Sequence, residues 1–204
     1  MKNLQPIIKK IKDNLKALGE FRDEELPKED DKIQEVIASF PIVYIHCWED
    51  RGGYEVYVGE SNNIFTRTKQ HYDAGDRNEE SWQRKMRDKS GNLYVIGHEH
   101  FNKSLTLDVE NRLMHYLSAA PKVRIVHNGR GNAQNKYYPV DELDHIFSEI
   151  WRELGKDNKD LFYSQEFIRD SAVFKASPLH KLENDQMKAK DMIIERVENA
   201  WQND

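Results

Sequence analysis

Two rhythms of apolar residues run along this chain. In Pro41–Trp48 (PIVYIHCW) and Tyr54–Gly59 (YEVYVG) β-branched and aromatic residues follow one another with little polar interruption. Arg51, Gly52 and Gly53 between them are turn residues, so residues 41–59 predict a β-hairpin. NLYVIGHEHF, residues 92–101, predicts a third strand, and KVRIV from Lys122 is strand-like before a loop-like stretch. Elsewhere the apolar positions recur every three or four residues. Ile7, Ile8, Ile11, Leu15 and Leu18 predict an amphipathic helix over residues 4–18 that ends at Gly19. RDEELPKEDD then reads as a linker, and Ile33, Val36 and Ile37 as a short helix before the first strand.

After Gly59, SNNIFTRTKQHY opens with side chains suited to a helix N-cap and carries Ile64, Arg67, Thr68 and His71 at three- and four-residue spacing. Arg67 and His71 are therefore expected on neighbouring turns of one helix face. Leu105, Val109, Leu113, Met114 and Leu117 predict a helix over residues 102–117, stopping before Pro121, with Glu110 in its middle. Further helices are expected at 81–89, 141–155 and 182–201, with 161–178 irregular. Together these elements predict an α/β (α+β) fold: a small three-stranded mixed or antiparallel sheet flanked by helices, with N- and C-terminal helical extensions. The expected divisions are 1–39, 40–140 and 141–204.

Composition narrows the function classes. Hydrophobic residues make up 38% and charged residues 33% of 204, polar for a globular chain but too rich in aromatic and β-branched residues for disorder. No apolar run nears the roughly 20 residues that span a bilayer, and lysines interrupt the N-terminus throughout, which predicts a cytoplasmic protein without a membrane partner. Cys47 is the only cysteine, which excludes an internal disulfide and a cysteine-built zinc site. The net charge of −5 argues against attraction of nucleic acid over the whole surface. Pro121–Tyr138, however, carries Lys122, Arg124, Arg130 and Lys136 and no acidic residue. With Lys69, these are the candidate nucleic-acid contacts. No G-x-x-x-x-G-K-[ST] phosphate loop occurs, and the serines show no nucleophile elbow. His98 and His100 form an H-x-H pair on the third predicted strand, where both imidazoles would point one way and could bind a metal, although an exposed strand face is the commoner role.

The order of hairpin, helix, strand and helix, with Ile42-Val43-Tyr44 on the first strand and Tyr57-Val58-Gly59 on the second, resembles the GIY-YIG nuclease family. GESNNIFTRTKQHY is similar to the family's helix bearing the arginine, and LDVENRLMHYL to the helix bearing its metal-binding glutamate. Asn128 matches the family's late asparagine by position, with Asn132 and Asn135 as competitors. Ile42 stands where the family usually has its first glycine, and Val43 and Val58 stand for isoleucines. The resemblance covers about residues 41–138.

The resemblance implies an endonuclease acting on DNA, or on RNA, with one Mg²⁺ or Mn²⁺ ion. Glu110 is then the metal ligand, since a hard carboxylate suits either ion. Arg67 clamps phosphate with its planar fork. Tyr44 is the implied general base or water-orienting hydroxyl, with its pKa lowered by a nearby cation. Tyr57 positions nucleophile or phosphate, His71 relays a proton or holds an oxygen, and Gly59 lets backbone approach the site. Taken singly, each has a plainer role, a half-buried strand tyrosine or a solvated helix face. The ordered set of five favours chemistry.

A likeness of organisation extends further. The FKASPLHKLENDQ stretch is similar to the lead-in of bacterial proteins in which a GIY-YIG domain precedes a helicase-like P-loop ATPase, which implies an ATPase domain beyond Asp204. An alternative function is a nucleic-acid-binding or regulatory module of such an ATPase, inactive alone. A structural reading makes the terminal amphipathic helices a device for homo-oligomerisation.

Overall fold

A computed structural model of the chain describes residues 5–73, 81–88, 91–128 and 142–176, together with 188–189, 192–193 and Arg196. Its centre is a mixed sheet of β1 (Ile7–Lys12), β2 (Ile42–Asp50), β3 (Gly53–Ser61), β4 (Asn92–Gly97) and β5 (Val123–Val126), in the order β1-β4-β2-β3-β5. All neighbours are antiparallel except β3 and β5, which are parallel. The helices are α1 (Leu15–Glu20), α2 (Asp31–Ser39), α3 (Ile64–Asp73), α4 (Ser81–Asp88), α5 (Lys103–Ser118), α6 (Leu143–Asp157), α7 (Gln165–Asp170) and α8 (Ala172–Lys175).

The α+β class and the β2–β3 hairpin are as expected, but the sheet has five strands among the described residues rather than three. The helix expected over residues 4–18 is replaced by β1 and the short α1, which runs through Gly19. Ile7 and Ile11, four apart, share a helix face, but they share a strand face equally well. Three isoleucines among six residues favour the extended form. β1 is an edge strand, and Lys9 and Lys10 on it pair with Glu29 and with Asp157 (2.7 Å), which guards the edge against foreign pairing. The expected linker is instead a π-helical turn (Phe21–Glu25) followed by a 3₁₀ turn (Leu26–Lys28), because Phe21 and Leu26 are buried. The stretch expected to be irregular holds α7 and α8, each capped by a serine hydroxyl. The helix predicted for 182–201 falls almost wholly outside the described residues; the five that are described are helical and exposed.

β2 and β3 are covered on both sides, which is why PIVYIHCW reads as one apolar run. On one face Val43, Ile45, Cys47, Val56, Val58 and Ile96 pack against Leu105, Val109, Leu113 and Leu117 of α5 and Ile146, Phe147 and Ile150 of α6. Each such side chain contributes about 1.5–3 kcal/mol by leaving water. The other face gathers Tyr44, Trp48 and Tyr57 with Ile11, Leu18, Phe21 and Leu26 from the N-terminal segment, Ile64 of α3 and Trp82 of α4. No described helix is long and apolar enough to cross a membrane.

Candidate active site

The second face carries the site. Period-two alternation puts Tyr44 on β2 and Tyr57 and Gly59 on β3 on this side, with Tyr44 directly opposite Gly59 in the ladder. The Tyr44 ring lies over that glycine: a Cβ there would sit 2.5 Å from both its Cζ and its hydroxyl. Gly59 is thus the seat of the Tyr44 ring.

α3 covers this face. Its first turn is fixed by Asn63, whose Oδ1 accepts from Thr66 N at 3.0 Å. Arg67 and His71, one turn apart, both reach the tyrosines. His71 Nε2 is 3.0 Å from the Tyr44 hydroxyl, and Arg67 interacts with both tyrosine hydroxyls.

Glu110 arrives from the other layer. β5 pairs with Tyr54–Val56, and among the described residues no strand neighbours the outer edge of β3 beyond Val56. There Asn128, two residues past β5, donates through Nδ2 to Val58 O (2.8 Å) and to Glu110 Oε1 (2.9 Å). The end of β5 thereby lets α5 present its carboxylate to the tyrosine face. Tyr44, Tyr57, Gly59, Glu60, Arg67, Glu110, Asn111 and Asn128 line a cavity of about 270 Å³. Tyr57, Arg67 and Asn128 also line an adjoining pocket of about 200 Å³, with Gln70, His71, Trp82, Gln83 and His127.

The electrostatics correct one expectation. Tyr44 was to have a lowered pKa, but burial, reinforced by Tyr57, raises it strongly, and Arg67 offsets only part. Burial likewise raises Tyr57. Burial opposes the Arg67 charge, yet the two tyrosine hydroxyls more than compensate, so its pKa is raised. His71 is pushed down to about 3 by burial first, then by Arg67 and His46. The resting site therefore holds neutral phenols, a charged guanidinium and a neutral imidazole whose Nε2 shares a hydrogen bond with the Tyr44 hydroxyl.

A divalent ion fits the donors. Glu110 is a half-buried carboxylate oriented by Asn128, and Glu60, which pairs with Lys103, lines the same cavity with Oε2 buried and unpaired. Among the described residues no cluster of three or more His, Cys, Asp or Glu could form a closed metal site. Mg²⁺ suits the more open arrangement, taking one or two carboxylates and completing its shell with water and substrate oxygens.

Other predicted residues lie apart. Lys69 is exposed on α3. Lys122 pairs with Asp160 (2.8 Å), and Arg124 packs on Gly53 at the hairpin turn, some six strand residues, roughly 20 Å, from Gly59. Arg130, Lys136, Asn132 and Asn135 lie outside the described residues. The H-x-H pair is not on a strand: β4 ends at Gly97, His98 Nδ1 accepts from His100 N (3.1 Å), and His100 pairs with Glu142. Cys47 is buried in β2, its thiol pushed up to about 12 by burial.

Three neighbours of the site escaped the sequence reading. Trp82 stacks on Tyr57 (4.0 Å between centroids) and stands edge-on to His71 (4.8 Å). His46 lies beneath both tyrosines. Glu60 had a usable signal, since it follows Gly59 directly in the second motif; Trp82 had none. Comparison of the chain with protein-family models, curated proteins and solved structures finds no match.

Proposed function

We propose that this chain is an endonuclease of GIY-YIG type that hydrolyses phosphodiester bonds in DNA with one divalent metal ion. The observation that carries the reading is the convergence of Tyr44, Tyr57, Arg67 and Glu110, from four separate elements, on one cavity with His71 bonded to Tyr44 behind it. Arg67 meets the phosphate oxygens with its fork and stabilises the charge that grows on them. Tyr57 holds the attacking water or a phosphate oxygen in line. The Tyr44 hydroxyl, held by its hydrogen bond to His71 Nε2, orients the attacking water. Glu110 would hold Mg²⁺ or Mn²⁺, which when bound stabilises the leaving oxygen as a Lewis acid. A place in phage defence or DNA processing belongs to the same proposal.

A second reading, a nucleic-acid-binding or regulatory module, draws on one observation: Tyr44 is fully buried with its hydroxyl engaged by His71. Supercoiled plasmid, single strands and a branched duplex, each offered with Mg²⁺ or Mn²⁺ to the chain and to Tyr44→Phe, separate the two. Metal-dependent cutting lost in the variant supports the nuclease. Binding without cutting of any substrate favours the module.

A further inference from the structure

Asp13, the residue after β1, is distant in sequence from the site yet ties several of its elements together. Its backbone N–H donates to Gly91 O at 3.0 Å, just before β4. Asp13 is only 2% exposed, with its carboxylate Oδ1 2.9 Å from His46 Nδ1 on β2. From α3 the Tyr72 hydroxyl donates to the Asp13 carbonyl at 2.6 Å and stands 3.1 Å from Oδ1. His46 is fully buried and is the hub of the aromatic face. It stands edge-on to Tyr44 (5.4 Å between centroids) and perpendicular to His71 (6.1 Å), 6.1 Å from Tyr57, and stacks on Trp48. Its Nε2 and Asp13 Oδ2 are buried without a protein hydrogen-bond partner. A buried polar pair of this kind costs desolvation that two aliphatic side chains would not, so its use beneath a catalytic cluster asks for a functional reason.

We infer that Asp13 and His46 are positioning residues of the Tyr44–His71 pair, which makes the segment following β1 part of what sets the site. Two routes lead from the carboxylate. Through Tyr72 it anchors the last turn of α3, where His71 is the preceding residue. Through His46 Nδ1 it fixes the orientation of the ring against which both Tyr44 and His71 pack. The kinetic consequence rests on the nuclease reading; the positioning itself does not.

The test uses Asp13→Asn and Tyr72→Phe in the full chain, with two readouts: plasmid cleavage with Mg²⁺, resolved into kcat and KM, and the imidazole ¹⁵N resonances of His71, which need no activity. Both variants are expected to lower kcat roughly 10- to 100-fold with KM unchanged. The His71 resonances should move while those of His115 and His145, on α5 and α6, stay in place. If Asp13→Asn does not fold, Tyr72→Phe, which removes one hydroxyl from a half-buried ring, decides the matter alone. Should the parent chain cut nothing, the nuclease reading falls and the His71 resonances still decide the positioning. Unmoved His71 resonances in a folded variant overturn the inference, as does a kcat equal to that of a parent chain that cuts.

Discussion

The face of the sheet that meets α5 and α6 is filled by Val43, Ile45, Cys47, Val56 and Val58, whereas the opposite face of the same two strands carries Tyr44, His46, Trp48 and Tyr57. The aliphatic face needs no hydrogen bonds and can be close-packed. The aromatic face buries hydroxyls and imidazoles, and each needs a placed partner to offset its desolvation. The two are interleaved residue by residue, so a one-residue slip of register would exchange them. Under the proposed function, the aliphatic packing and the chemistry share a backbone while resting on different side chains.

The sharpest way to break that division is a cavity on the aliphatic side. Phe147→Ala on α6 should lower unfolding free energy by about 3–5 kcal/mol in a urea titration, with cleavage per folded molecule retained. An equal loss of activity in molecules still folded would show that the faces are not separable. Gly59→Ala should do the reverse. Its Cβ collides with the Tyr44 ring, so stability drops by about 1–3 kcal/mol while cleavage is nearly abolished.

Protonation sharpens the same contrast. The His71 pKa, about 3 in the fold, lies below its ordinary 6.5, so the unfolded chain binds the extra proton first. The sign follows: stability is unaffected by this group above about pH 6.5 and is lost progressively as pH falls toward 3. Urea titrations across that window should show a steeper loss for the parent chain than for His71→Gln. Parallel pH profiles would contradict a buried, neutral His71.

Asn128→Ala should cost about 1 kcal/mol of stability, and roughly 10- to 100-fold in the Mn²⁺ concentration needed for half-maximal cleavage, because Glu110 loses its orienting amide. Lys122→Ala, at the far end of the sheet, should leave melting temperature and cleavage rate unchanged. A marked loss of DNA binding in that variant would extend the substrate path to the hairpin turn.

Much of the aromatic face was legible because a strand's alternation is local. Tyr44 and Tyr57, which the resemblance singled out on the predicted hairpin, share a side once Tyr44 is set opposite Gly59. Arg67 and His71 followed from helical spacing in the same way. What stayed hidden depends on pairing between distant segments. The i, i+4 isoleucines of β1 satisfy a helix and a strand alike, and only the open edge of β4 decides between them. His46 reads as one more residue of an apolar strand until Asp13, thirty-three positions earlier, is brought beneath it. Trp82 on α4 carries no signal in the sequence, and its stacking on Tyr57 appears only in three dimensions. The strongly raised Tyr44 was hidden too, because sequence names the nearby Arg67 but not the depth of burial that outweighs it.

The most direct test of the central claim, that α5 completes the tyrosine face into a metal-dependent nuclease, is the rate of plasmid cleavage against Mn²⁺ concentration for the parent chain and Glu110→Gln. Saturable, metal-dependent cutting by the parent and a loss of at least about 100-fold in the folded variant are expected. Equal cutting by both, or no cutting by a well-folded parent chain at any metal concentration, would contradict it.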